Sequence, residues 1–347
     1  MKRILILVFL VMLLSICLSG CGQQEPVTLR LMTHDSFDIA AETMAQFTEE
    51  TGIAVEVFKA GDAGAMVNQA VLAAGDPLAD VLFGIDNTFL SRALNNKIFI
   101  PYESPVLDQI RDDLKLDPQN RALPVDFGDV CLNYDRNWFA KNSLDPPRSL
   151  DDLIDPAYAG LTVVENAATS SPGLAFLLAT IDTYGEMGYL DYWQKLEGND
   201  VLVTDGWEDA YYGAFSASSD GSRPVVVSYA SSPAAEVFFA ETALDEAPTA
   251  AVVSDGSCFR QVEFVGILQG TKHETEARQL VDFLLSRPFQ EDIPLHMFVY
   301  PANEEAQLPE VFIEHSQVPQ YPATISPEEI AANREAWVQA WTETVLR

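Results

Sequence analysis

Apolar and polar positions alternate with period two in Val27-Thr28-Leu29-Arg30-Leu31-Met32-Thr33, which predicts a first strand ending at His34-Asp35-Ser36-Phe37. Ile39 to Thr48 carries a helical repeat and stops near Gly52. Ile53–Val57 predicts a second strand, Met66–Ala74 a second helix, and Asp80–Asp86 a third strand with its exit loop. That βαβαβ order predicts a parallel sheet with ligands at its carboxyl edge. Val125–Tyr134 reads as a long strand leaving this first unit. A second βα series follows: a short helix capped by Ser149, then Leu161–Val164, Tyr189–Leu196, Val201–Thr204, Ala210–Ala217 and Val225–Ser228. Phe259–Ile267 reads as a strand returning to the first unit, and helices at Glu274–Leu285 and Pro327–Thr344 close the chain. A chain that crosses and returns predicts two hinged lobes with a cleft, with lobe 1 from 27–124 and 264–347 and lobe 2 from 125–263.

Between the strand at Leu161 and the helix after it lies Thr169-Ser170-Ser171-Pro172-Gly173-Leu174. Pro172 suits the first helical position, and Ser171 then falls at the N-cap. Free N–H groups and the hydroxyls of Thr169 and Ser170 would point out of this turn. A well-capped helix without a ligand accounts for the same residues.

The first twenty residues follow a different pattern. Lys2 and Arg3 precede an almost wholly apolar run, Ile4 to Leu18, closed by Leu18-Ser19-Gly20-Cys21. This is the form of a secretory signal, residues 1–20, and its ending resembles the lipobox of bacterial lipoproteins. The resemblance implies that Cys21 becomes the lipidated first residue of the mature chain, with 21–26 as a tether. Any attachment to a membrane is then through lipid alone, because no second apolar run is long enough to span a bilayer.

The remaining chain is long enough for two cores. The chain has 52 acidic against 20 basic residues and a formal net charge of -32. Such a surface excludes nucleic acid as a partner and favours a cationic ligand. Of four cysteines, Cys17 lies in the signal and Cys21 at its end. Cys131 and Cys258 remain; an oxidising compartment would let them pair, but each sits in an apolar stretch and the reading preferred here is two small core residues.

Catalytic signatures are absent: no His-Glu-x-x-His, Gly-x-Ser-x-Gly, P-loop or Gly-x-Gly-x-x-Gly. Four histidines supply a metal cage poorly. The sequence thus predicts neither enzyme activity nor a cofactor. Aromatic and small polar residues recur instead at strand ends: Thr204-Asp205-Gly206-Trp207, Ser228-Tyr229-Ala230-Ser231-Ser232-Pro233, and Phe298-Val299-Tyr300-Pro301. Aromatic faces with hydroxyls suit a flat, cationic, hydrogen-bonding ligand; singly, each ring also fits a core role.

These stretches carry a family resemblance. Asp35-Ser36-Phe37, Gly84-Ile85-Asp86-Asn87, Thr169 to Leu174, Gly206-Trp207 with Ala210-Tyr211, Ser228-Tyr229 with Ser232-Pro233, Gln261-Val262-Glu263, Tyr300-Pro301, and the tail Ala336-Trp337 with Trp341 occur in order. From about Val27 to Arg347 the chain resembles the thiamine-binding solute receptors of bacterial ABC importers. The resemblance implies an α/β, two-lobed periplasmic-binding-protein fold of type II, thiamine or a thiamine phosphate as ligand, and a membrane permease as partner. Its site would comprise His34, Asp35, Asp86, Ser170, Trp207, Tyr229 and Phe298. Three positions depart from the family, which commonly has tyrosine at His34 and Ala235 and tryptophan at Phe298. Iron(III) receptors share the fold and bind through adjacent tyrosines, so Tyr211-Tyr212 offers an alternative ligand. An α-helix would turn those two neighbours about 100° apart, away from one ion.

Overall fold

The structure, a computed structural model, describes residues 27–346. The signal, Cys21 and the tether lie outside the described residues. Among the described residues eleven strands form one sheet: β1 (Thr28–Thr33), β2 (Ala54–Lys59), β3 (Val81–Asp86), β4 (Phe99–Ile100), β5 (Leu123–Asp135), β6 (Thr162–Glu165), β7 (Leu202–Thr204), β8 (Val225–Tyr229), β9 (Thr249–Val252), β10 (Phe259–Leu268) and β11 (Tyr300–Pro301). The main path runs β2-β1-β3-β10-β5-β8-β6-β7.

The sheet is parallel only toward its two ends. β1 pairs in parallel with β2 and β3, and β6 with β7 and β8. In the middle β10 runs antiparallel to β3 and β5, and β5 antiparallel to β8. The expectation of a parallel sheet therefore holds within each half and fails at the junction, because the two strands that cross between halves run in opposite directions. Central strands are buried along nearly their whole length, as sheets covered on both faces require; every residue of β3 is buried, whereas edge strand β2 exposes Glu56 and Lys59.

Helices Ala41–Thr51, Ala63–Leu72 and Glu274–Leu285 cover the first half, and Ser171–Gly198 the second. That last element breaks at Gly185, whose φ of 70° is outside helical space. The break separates the two apolar stretches that the sequence shows at Leu174 and Tyr189. The C-terminal helix Pro327–Val345 touches both halves behind the sheet: Arg334 lies 4.2 Å over the Phe89 ring, and Trp341 meets Trp193 edge-on at 5.5 Å.

Cys131 and Cys258 form a disulfide, which corrects the reading of two separate core thiols. Pairing of Val130 with Phe259 puts the two cysteines opposite each other on β5 and just before β10, with Cα atoms 4.3 Å apart. That is close to the spacing of directly facing residues in a non-hydrogen-bonded antiparallel pair. No helix of the described residues is long and apolar enough to cross a membrane.

Candidate functional site

The cleft between the halves holds a cavity of about 250 Å³. Its walls are built at strand ends, and close backbone approach sets its shape. Helix Ala63–Leu72 is capped by Asp62, whose Oδ1 accepts from Ala63 N at 2.6 Å. The other oxygen accepts from Trp207 N at 3.0 Å, from the far wall. Beside it Gly64 N donates to Thr169 O at 3.0 Å. A β-carbon at Gly64 would stand 2.5 Å from that carbonyl, so only glycine permits the approach.

Of the residues singled out from sequence, His34, Asp35, Trp207, Tyr229 and Phe298 line the cavity. Trp207 donates through Nε1 to Ser228 Oγ at 3.0 Å and stacks on Tyr211 at 5.0 Å, 19° from parallel. Tyr229 OH donates to Gln261 Oε1 at 2.9 Å. Burial, with acids around it, pushes the Tyr229 phenol well up, so it remains a neutral donor. His34 Nε2 lies 3.4 Å from Glu263 Oε2. Burial alone would lower its pKa, but the facing Glu263 carboxylate prevails and the pKa rises. Gly84, at φ 91°, makes room for this imidazole; a β-carbon there would meet His34 Cδ2 at 2.2 Å.

Asp86 and Ser170 stand behind the wall. Asp86 is fully buried, accepting from Thr88 Oγ1 at 2.7 Å and Phe89 N at 3.3 Å, and from Gln261 Nε2. Burial raises its pKa to about 7. Ser170 is fully buried and is itself the N-cap, so the cap falls one residue before the expected Ser171. Pro172 is then the second helical residue, and Ser171 lies at the cavity.

Sequence reasoning missed Asp62 and Phe239, named Glu263 only within a stretch that carries the resemblance, and named Tyr212 only for the iron alternative; all four line the cavity. Asp62 sits in a Gly-Asp-Ala stretch that reads as loop, and Glu263 inside an apolar strand. Tyr211 and Tyr212, in the π-helical segment Asp209–Ala214, both line the cavity, but their rings stand 80° apart, with Tyr211 buried and Tyr212 exposed, in keeping with the expected divergence of neighbours. Carboxylates dominate the charge of the walls: Asp35, Asp38, Asp62, Glu208 and Glu263 stand against the amine of Lys59. Burial raises the Asp62 pKa, opposed by the hydrogen bond from Trp207. The arrangement offers flat aromatic surface, hydroxyl and carboxylate acceptors, and a negative field, which together suit a flat cation.

The sequence profile of the bacterial extracellular solute-binding protein family matches residues 76–318. A thiamine-binding periplasmic protein of Salmonella typhimurium is 30% identical over 329 residues, covering 93% of this chain and 94% of the relative. Among solved structures, a periplasmic thiamin binding protein superposes with TM-score 0.81 at 26% identity, covering 94% of this chain and 98% of the other. Iron-bound HitA from Pseudomonas aeruginosa superposes with TM-score 0.70 at 21% identity over 91% of this chain and 99% of its own, a likeness of fold alone. With the cleft, the crossing strands and the two covered half-sheets, these matches place the chain among the bacterial extracellular solute-binding proteins, in the two-lobed type II periplasmic-binding fold.

Proposed function

We propose that this receptor captures thiamine, or a thiamine phosphate, outside the cytoplasm and delivers it to an ABC permease. The observation that carries the reading is the wall made by Trp207, stacked on Tyr211, and Tyr229 in an acid-lined cavity. Indole and phenol faces attract a thiazolium and stack on a pyrimidine, each contact being of order 1 kcal/mol and more when dry. Relatives named for thiamine binding that align over more than nine-tenths of the chain support the same ligand. The role is binding and transport rather than turnover. Within the reading, lobe 1 is 27–124 with 264–347 and lobe 2 is 125–263, and closing of the lobes marks the loaded state.

Iron(III) is the second reading, and the shared cavity position of Tyr211 and Tyr212 favours it. Tyr211 OH, however, donates to Glu236 Oε1 at 2.7 Å, and burial with that carboxylate pushes the phenol well up. Both effects oppose the phenolate that a ferric ion needs, so thiamine is preferred.

Location follows from the leader: Cys21 carries lipid and holds the protein at the membrane surface. Cys21→Ser should release the protein from the membrane fraction or block its processing; processing and retention like wild type would remove the anchor. Thiamine at about 100 times its dissociation constant should stabilise the protein by about 2.7 kcal/mol. No thermal shift with thiamine, its monophosphate or its diphosphate would remove the ligand and leave the fold untouched.

A further inference from the structure

Helix Ser232–Phe238 grips Phe298 from both of its ends. Before its first turn Ser231 Oγ donates to the Phe298 carbonyl. After its last turn the Phe239 ring stands 5.4 Å from the Phe298 ring at 54°, with Phe238 at 6.1 Å beside it. Phe298 is held at φ 54°, a left-handed backbone that is costly for a bulky side chain. Such conformations persist where the surroundings impose them, and they gather at ligand clamps.

Phe239 itself is 64% exposed, yet it lines the cavity. A phenylalanine so wet contributes little to a core. Its N–H donates to the Ala235 carbonyl at 2.9 Å, one helical turn back. Both residues border the cavity, and Ala235 presents only a methyl group there, so the aromatic surface on this part of the wall comes from Phe239, one turn further on.

We infer that Phe239 and Phe298 form an aromatic mouth to the cavity, and that Phe239 is a ligand-binding residue whose ring closes over a flat heteroaromatic ring of the solute. The identity of that ring rests on the thiamine reading. An exposed ring changes rotamer within nanoseconds, so entry is unhindered. Once the solute is seated, escape requires breaking the contact with Phe239. The residue therefore governs release more than capture.

Stopped-flow tryptophan fluorescence of thiamine binding and release tests this on the purified protein, comparing wild type with Phe239→Ala, Phe239→Leu and Phe239→Tyr. Phe239→Ala should speed release by about tenfold, within the range of aromatic hot spots. Its association rate and ligand-free melting temperature should stay near those of wild type. Phe239→Tyr should restore slow release, and Phe239→Leu should not. Equal release from wild type and Phe239→Ala overturns the mouth while leaving thiamine as the ligand. Full restoration by Phe239→Leu overturns its aromatic character. Failure of wild type to bind thiamine overturns the ligand reading and the mouth together.

Discussion

Asp62 accepts a hydrogen bond at 3.0 Å from the backbone N–H of Trp207, 145 residues further along the chain and on the opposite wall of the cleft. One carboxylate thus caps a helix on its own side and holds in place the loop that presents the indole on the other. Asp62→Asn keeps a single acceptor and removes the negative charge. Hydrogen bonds to charged groups contribute about 1.5–3 kcal/mol, so thiamine affinity should fall by about tenfold or more. Calorimetric titration gives the loss directly. Affinity equal to wild type would mean that the cross-cleft bond does not support the liganded state.

Trp207→Ala and Tyr229→Ala should each weaken thiamine binding by about 2 kcal/mol, the scale of a binding hot spot. Both rings are only partly buried, so the alternative of core aromatics, whose loss costs about 3–5 kcal/mol of stability, predicts a different outcome. Titration beside a urea melt separates them. Unchanged affinity in the folded fraction of both variants places the ligand elsewhere.

Much of this site is visible along the chain because strand ends announce themselves. Trp207 and Tyr229 follow short apolar runs, and His34 follows β1, so periodicity alone carries the eye to the cavity rim. Asp86 sits at an equally plain strand end, but its carboxylate turns back onto Thr88, Phe89 and Gln261, a choice made by side-chain hydrogen bonds that no pattern encodes. Tyr212 lies beyond any strand end, in the π-helical segment Asp209–Ala214, so the strand-end pattern does not lead to it. Asp62 and Phe239 acquire meaning only from partners brought near by folding, Trp207 in one case and Phe298 in the other. The disulfide is of the same kind, since 127 residues separate its cysteines.

Stability should fall as pH rises from about 4 to about 7. Asp86, with a folded pKa of about 7, and the buried Asp126 and Glu165, both raised by desolvation, hold protons in the fold that the unfolded chain has released. In that window the folded state binds more protons, so the unfolding free energy declines with pH. His34, whose pKa is raised, adds to the decline as pH passes through its folded pKa. Asp126 is the informative site, because Glu263 lies opposite it on β10 and neither of its oxygens has a hydrogen-bond partner. Asp126→Asn should shrink the difference between urea melts at pH 5 and pH 8; an unaltered difference would show that Asp126 titrates normally.

Removing the Cys131–Cys258 bridge should destabilise the fold by about 2–4 kcal/mol, since it closes a long loop of the unfolded chain. The double variant Cys131→Ala, Cys258→Ala should show the loss as a lower urea midpoint, with thiamine affinity within a few-fold of wild type because neither cysteine borders the cavity. A midpoint equal to wild type would indicate that the bridge constrains nothing.

The position of that bridge also limits how the cleft can move. β5 and β10 are the strands that pass from one half of the sheet to the other, and they pair from Val130–Phe259 to Leu123–Val265. A covalent staple directly beyond the Val130–Phe259 pair pins their mutual register at one end. The two strands then behave as a single leaf spring: it can bend and twist, but its layers cannot slide. Opening and closing must therefore proceed as a hinge about this ribbon rather than as a shear along it, and the two walls should return to the same alignment each time they meet.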